Sequence, residues 1–396
     1  MEWRTVVGGI SLATFIFWIG VWCLHFMAIA YGKWRLYKTK ELLPDAPRPG
    51  VSIIKPLTGT DKHLFGNLET YFSMKYPLYE LLFCAHDDSE PALMVVRKLM
   101  NKYPSVDTKI CLGKKVCVNP KINNMIPAYE MAKYDLILIS DCGIRMKEDT
   151  LSDMVAHMED DVGLVHQMPF VCDREGFAAT LEKIYFGTVH ARVYLSADLM
   201  RINCPTGMSS LMRKKVIDEA GGLVVFGCYL AEDFFMAKAI TDRGWRLTIA
   251  SQPAWQNSGH CKVLAFQARM TRWAKLRFAM VPHTLILEPL SECMFLGLLA
   301  SYATNWLFEW SPLALFLTHI LCWLILDWIL LRTVQNGSVP FSKVDFIIGW
   351  LFREVYAPYL FLSALWEPTI RWRTGIYRLR WGGVAEEITD CKDVKS

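Results

Sequence analysis

Leu136-Ile137-Leu138-Ile139-Ser140-Asp141-Cys142-Gly143 is an apolar run that stops on a carboxylate. A strand buried on both faces of a sheet reads as a continuous apolar run rather than an alternating one. In open α/β sheets, ligands bind outside the carboxyl ends of the strands. An acid directly after such a run is poorly explained by packing, so Asp141 is a candidate functional residue.

Working outward, the same pattern repeats. Residues 51–54 form a first strand that ends at Lys55-Pro56, residues 61–71 carry apolar side chains at helical spacing, and residues 81–85 run straight into His86-Asp87-Asp88. A helix over 92–101 and a strand over 109–112 follow. Short β-rich runs alternating with amphipathic helices from about 50 to 282 predict an α/β layer domain. It contains neither GxGxxG nor GxxxxGK[ST], so neither a dinucleotide fold nor a P-loop is indicated.

The domain lies between apolar ends. The chain has 396 residues, 53% of them hydrophobic and 21% charged, too apolar for an ordinary soluble protein and too charged for one that is all membrane. From residue 6 to 32 there is no Asp, Glu, Lys or Arg, which exceeds the ~20 apolar residues a spanning helix needs. Phe15, Trp18, Trp22 and Phe26 keep it bulky almost to its end, unlike a cleaved signal peptide. Lys33, Arg35, Lys38 and Lys40 follow at once, so the positive-inside rule puts residues 1–32 down as lumenal N-terminus and anchor, with a cytosolic domain after it. A second apolar region covers 285–366. Residues 313–331 are its best span, whereas 285–308 carries Glu288 and Glu292, and 346–366 carries Arg353 and Glu354. Three spans there would return the tail at 367–396, basic then acidic, to the lumen. Its Arg371, Arg373, Arg378 and Arg380 argue against that, so two to three helices remain open.

Other classes are disfavoured by composition. A net charge of +4 and no basic run interleaved with aromatics give nothing for nucleic acid. The 12 cysteines, from Cys23 to Cys391, form no CxxC pair, and a reduced, cytosol-facing domain is the simplest reading.

Four clusters carry chemistry. Asp87-Asp88 with Glu90 follows a strand, a place where an ordinary turn is an equally good account. Asp141 ends another. Glu232-Asp233 opens a helical run, where acids complement the helix dipole, though that does not explain both. Arg269-Met270-Thr271-Arg272-Trp273, followed by Lys275 and Arg277, suits a basic face near a membrane, but for the embedded tryptophan. Together they form one device for a nucleotide sugar. One carboxylate can hold base and ribose, another a divalent ion and diphosphate, a third can take a proton from the attacking hydroxyl, and guanidinium groups match the leaving phosphates.

Asp87, Asp141, Asp233 and Arg269-x-x-Arg272-Trp273 resemble the D, D, D, (Q/R)xxRW signature of inverting family-2-like glycosyltransferases of the GT-A type, a Rossmann-like nucleotide-sugar fold. Lys55-Pro56-Leu57, Asn119-Pro120-Lys121-Ile122-Asn123-Asn124, Gly207-Met208-Ser209 and Gly221-Gly222 narrow the likeness to the ceramide glucosyltransferase family, over nearly the whole chain. That resemblance implies transfer of glucose from UDP-glucose to the primary hydroxyl of ceramide with inversion, the first step of glycosphingolipid synthesis, in a multi-pass Golgi membrane protein whose catalytic domain is cytosolic. It implies that Asp87, Asp88 or Glu90 contacts the uridine and Lys121 the diphosphate, and that Asp141 serves a Mg2+ or Mn2+ diphosphate site. It makes Asp233 the general base, with Glu232 beside the substrate. Arg269, Arg272 and Trp273 then close over diphosphate and acceptor, and His190 lines the acceptor site.

The chain departs from the pattern at Asp141-Cys142-Gly143, which lacks the second acid of a DxD motif, so metal ligation by protein rests on one carboxylate. The hexose is glucose by resemblance alone, and homo-oligomer formation is left open. Processive polysaccharide synthases of the chitin or hyaluronan type share the signature, but generally have more spans, and their last motif usually begins with Gln where this chain has Arg269. A catalytically inactive membrane scaffold would have no need to keep Asp141, Asp233 and Arg272 together.

Overall fold

In the computed structural model, the described residues are 2–40, 48–259, 262–372 and 375–388; Arg373, Cys391 and the acidic end of the tail lie outside them. The chain forms two compact units, one comprising residues 35–172, 197–260 and 369–396, the other residues 1–34, 173–196 and 261–368.

The first unit is built on a seven-stranded sheet. Its strands are β1 (Val51–Pro56), β2 (Tyr79–Ala85), β3 (Thr108–Leu112), β4 (Leu136–Ser140), β6 (Val162–His166), β8 (Ser209–Arg213) and β9 (Arg246–Ile249), in the order β3-β2-β1-β4-β8-β6-β9. The first four in that order are parallel, and β8 runs antiparallel to β4 and β6. The apolar runs are explained by burial on both faces. Along β4, Leu136 and Leu138 enter one core with Leu81 and Phe83 of β2, while Ile137 and Ile139 enter the other with Leu82 and Cys84. Helices Leu64–Phe72 and Ala92–Lys102 cover the first face through Leu68, Tyr71, Leu93 and Val96; helices Pro120–Met131 and Glu232–Thr241 cover the second through Ile122, Met125, Met236 and Ile240. Each such fully buried side chain contributes about 1.5–3 kcal/mol.

Because β8 is antiparallel, its first residue lies at the carboxyl end of β4, pairing Ser140 with Ser209. This brings the Gly207-Met208 loop to the end of the sheet where Asp141 stands, and Asp141 N donates to Met208 O at 3.0 Å. A small sheet of β5 (Ile144–Arg145), β10 (Ala254–Gln256) and β7 (Pro169–Val171) adjoins this end. In the tail, β11 (Thr369–Trp372), β12 (Gly375–Leu379) and β13 (Ala385–Glu387) form a third sheet, and Val384 bridges to Tyr229 of the same unit.

The second unit is helical. Trp3–Arg35 and Pro312–Gln335 are long and apolar enough to cross a membrane. Helices Thr284–Ser291 and Cys293–Phe308 meet at 79° and could make a third, broken span. The break is at Glu292, whose extended backbone (ψ 136) interrupts the helix expected over 285–308. Helix Lys343–Trp366 opens on a capping box between Ser342 and Asp345 and carries Arg353 and Glu354 near its middle. Residues 177–199 are helical throughout but change to a π-helical turn at Phe186–His190.

Candidate active site

Lys121 is the hub of the acidic residues. The Asn119 side chain caps helix Pro120–Met131 by accepting from Lys121 N (2.8 Å) and Ile122 N (3.2 Å), which fixes the first turn that carries Lys121. Lys121 Nζ then lies 3.0 Å from Asp141 Oδ1, 3.0 Å from Glu232 Oε1 and 3.2 Å from Gly207 O. Burial opposes its charge, but Asp141, Glu232 and Asp233 outweigh burial and hold it well above the ordinary lysine range. The Asn119 amide also donates to Glu232 Oε2 at 3.0 Å and to Tyr229 O at 2.7 Å.

Asp233 is placed differently from its neighbour. Both residues open helix Glu232–Thr241, but Glu232 is buried against Lys121 and Asn119, whereas the Asp233 carboxylate faces Gly207. A Cβ on Gly207 would stand 2.9 Å from Asp233 Oδ2, so glycine is what allows this approach. Burial, reinforced by the Glu232 charge and opposed by Lys121, raises the Asp233 carboxyl to about 6. It is therefore ionised at neutral pH yet far more basic than an exposed aspartate, the condition for a general base.

Asp141 is 40% exposed at its side chain and open toward solvent. Beneath it, fully buried Lys55 donates to Asp141 O at 2.8 Å and sits 3.7 Å over the Tyr71 ring; burial lowers its amine to about 7. Asp87 follows β2, two strand positions from β4 and thus about 10 Å across the sheet. Its carboxylate accepts from Ser89 N and Oγ, bonds that hold it below the usual range. Asp88 pairs with Arg97, and Glu90 Oε1 accepts from Gly59 N at 2.8 Å. Glu90 thus braces a backbone turn, Asp88 faces a surface arginine, and Asp87 closes the turn to Ser89.

The second unit gathers the other candidates. Helix Val263–Met280 carries Arg269, Arg272 and Trp273. Arg269 Nη2 pairs with the buried Glu182 at 3.2 Å, and its guanidinium lies 5.5 Å from the centres of both the Phe186 and Trp273 rings. Lys275 pairs with Glu367, and Arg277 with Glu288. Arg272 makes no ion pair among the described residues; burial and Arg269 lower its very high basicity without removing its charge. His190 stacks on Tyr194 with centroids 4.4 Å apart and lies 6.0 Å from Trp273. Burial, with Arg277 and Arg269 nearby, lowers the imidazole to about 3, so it is neutral, and its Nδ1 has no hydrogen-bond partner among the described residues.

Asn119, Gly207 and Glu182 were given no role in the sequence. An Asn-Pro pair before a helix signals the cap, but nothing local announces that the same amide reaches Glu232. Among the described residues no three His, Cys, Asp or Glu side chains are gathered for a metal. Asp141 alone fits a divalent ion in the way Mg2+ is often held, by one or two carboxylates with the rest supplied by phosphate and water.

A mixed sheet of this order, with carboxylates at its carboxyl ends, defines a GT-A-like fold. The solved structure of a mannosyltransferase from Pyrobaculum calidifontis in complex with GDP-Man and Mn2+ superposes with a TM-score of 0.53 at 17% identity, covering 91% of this chain and 99% of that one. Residues 20–385 match glycosyl transferase family 21. Ceramide glucosyltransferase 3 of Caenorhabditis elegans is 45% identical over 378 residues, 94% of this chain and 82% of the relative. Ceramide glucosyltransferase 1 of the same organism is 44% identical over 390 residues, 97% and 83% of the two chains. The chain belongs to glycosyl transferase family 21.

Proposed function

We propose that this enzyme transfers glucose from UDP-glucose to the primary hydroxyl of ceramide, inverting the anomeric carbon. The observation that carries the reading is Asp233, a carboxylate raised to about 6 beside the Lys121–Asp141 pair at the carboxyl end of the sheet. Relatives named ceramide glucosyltransferase, matched over 94% and 97% of the chain, support the choice of sugar and acceptor.

In this mechanism Asp233 takes the proton of the acceptor hydroxyl as its oxygen attacks C1 of the sugar. The C1–O bond to UDP breaks and its electron pair leaves with the diphosphate. Attack from the face opposite the leaving group gives inversion. Asp87 holds the uridine, with Asp88 and Glu90 shaping its turn. Lys121 meets the developing phosphate charge. Arg272, a guanidinium with no ion-pair partner among the described residues, is given the diphosphate on the likeness of its motif. Asp141 would hold a Mg2+ or Mn2+ accompanying the diphosphate, which supplies further charge neutralisation. Trp273 and neutral His190 serve the acceptor.

The enzyme acts on a lipid in its own membrane, with the first unit on the cytosolic face of the Golgi. The bridge from Val384 to Tyr229 supports a tail on the same side as the sheet. That takes an even number of crossings between residues 261 and 368, and it reconciles Arg371, Arg378 and Arg380 with the positive-inside rule. Membranes carrying the enzyme, given labelled UDP-glucose and ceramide, should yield a single-sugar lipid. A polymer, or label carried from another UDP-sugar in preference, would overturn the reading.

A further inference from the structure

Thr188 and Arg192 flank His190 in the helical segment 177–199, and both are anchored to one buried ion-pair network. Thr188, fully buried inside the π-helical turn, accepts from Arg353 Nη1 and donates to Ile184 O at 2.6 Å. Arg353 Nη2 reaches Asp327 Oδ2 at 3.3 Å, and Arg192 Nη1 reaches Asp327 Oδ1 at 3.2 Å. Asp327, also fully buried, accepts from Trp350 Nε1 at 2.7 Å, and His25 Nε2 lies 3.3 Å from its Oδ1. Three helices of the second unit thus converge on one carboxylate.

A buried carboxylate in an apolar helix is costly and usually serves a function. A π-helical turn is rare and tends to occur at functional sites, since it re-aims the side chains around it. Within this turn Thr188 meets Arg353, while His190, two residues on, stacks on Tyr194 and presents an Nδ1 with no hydrogen-bond partner among the described residues. Neither the acids of the sheet nor the Arg269-to-Trp273 motif accounts for Asp327, Arg353 or Thr188.

We infer that Arg353 and Thr188, tied to Asp327, are positioning residues that fix the π-helical turn and so aim His190 at the lipid acceptor. This rests on the reading of His190 as an acceptor-side residue. The network acts through geometry and touches no substrate.

The test is steady-state kinetics of the full-length enzyme in lipid membranes, with ceramide and UDP-glucose varied separately. Thr188→Val removes the acceptor of the Arg353 bond at nearly constant shape, and should lower kcat/KM for ceramide about 10-fold while leaving KM for UDP-glucose within about twofold. Thr188→Ser should restore it, and Arg353→Lys should fall between. In a double-mutant cycle, Thr188→Val added to His190→Ala should cost nothing further, because its effect passes through the imidazole. Equal losses for both substrates, no loss at all, or full additivity with His190→Ala would overturn the inference. If His190→Ala leaves ceramide kinetics unchanged, the acceptor role of His190 fails and the inference goes with it.

Discussion

Lys121 Nζ stands 3.0 Å from Asp141 Oδ1 and equally far from Glu232 Oε1, so one ammonium neutralises two of the acids around Asp233. Removing it should make Asp233 harder to ionise. In Lys121→Gln the acid limb of the kcat/KM profile should move to higher pH by about one unit or more, with weaker binding of UDP-glucose. Thermal stability should also fall, because a buried pair loses one partner. A limb that stays in place would show that Asp233 does not set it.

For the unmodified enzyme the sign is fixed by the direction of the Asp233 shift. A base must be ionised to act, and burial with Glu232 raises its carboxyl to about 6. Activity should therefore be level above that pH and fall below it, approaching tenfold per unit. Folding responds in the opposite sense. The folded value lies above the unfolded one, so this group favours folding at low pH and that contribution is lost as pH rises through about 6. Asp233→Asn should accordingly melt no lower than the wild type at pH 7.5, as thermal unfolding will report.

Gly207 is fixed by contact, since its added Cβ would lie 2.9 Å from Asp233 Oδ2. Gly207→Ala should push the carboxylate aside and lower kcat by about 10²-fold, the scale expected for a displacement near 1 Å. Circular dichroism and melting should change little. Undiminished kcat would place the working position of Asp233 elsewhere.

Arg269 and Arg272 should separate. Arg269→Ala strands the buried Glu182 and should lower the melting temperature along with activity. Arg272 has no ion-pair partner to strand among the described residues, so Arg272→Ala should keep its melting temperature and lose kcat by about 10²- to 10³-fold. A stability loss without a kcat loss in Arg272→Ala would make it a packing residue.

The sheet was legible where burial is two-sided. The run expected over 136–140 is β4, and those over 51–54, 81–85 and 109–112 fall within β1, β2 and β3; in β2 and β4 neighbours along the strand enter opposite cores and must be apolar, whereas β1 admits the hydrogen-bonded Ser52 and the edge strand β3 admits Lys109. Antiparallel β8 was missed: Ser209-Ser210-Leu211-Met212-Arg213 has neither a full apolar run nor clean alternation. The acids were visible as strand-end and helix-start residues. Their partners were not, since Lys121 meets Glu232 across 111 positions of chain, and no periodicity encodes such a distance. Asp327 is a charge in an otherwise apolar stretch, but its link to Thr188 through Arg353 depends on how three helices pack.

The most direct test of the account is turnover of Asp233→Asn with ceramide in membranes, measured beside its affinity for UDP-glucose. Loss of the base should cut kcat by about 10²- to 10⁴-fold while donor affinity stays close to wild type. Turnover at the wild-type rate would contradict the assignment of Asp233 as the group that activates the ceramide hydroxyl.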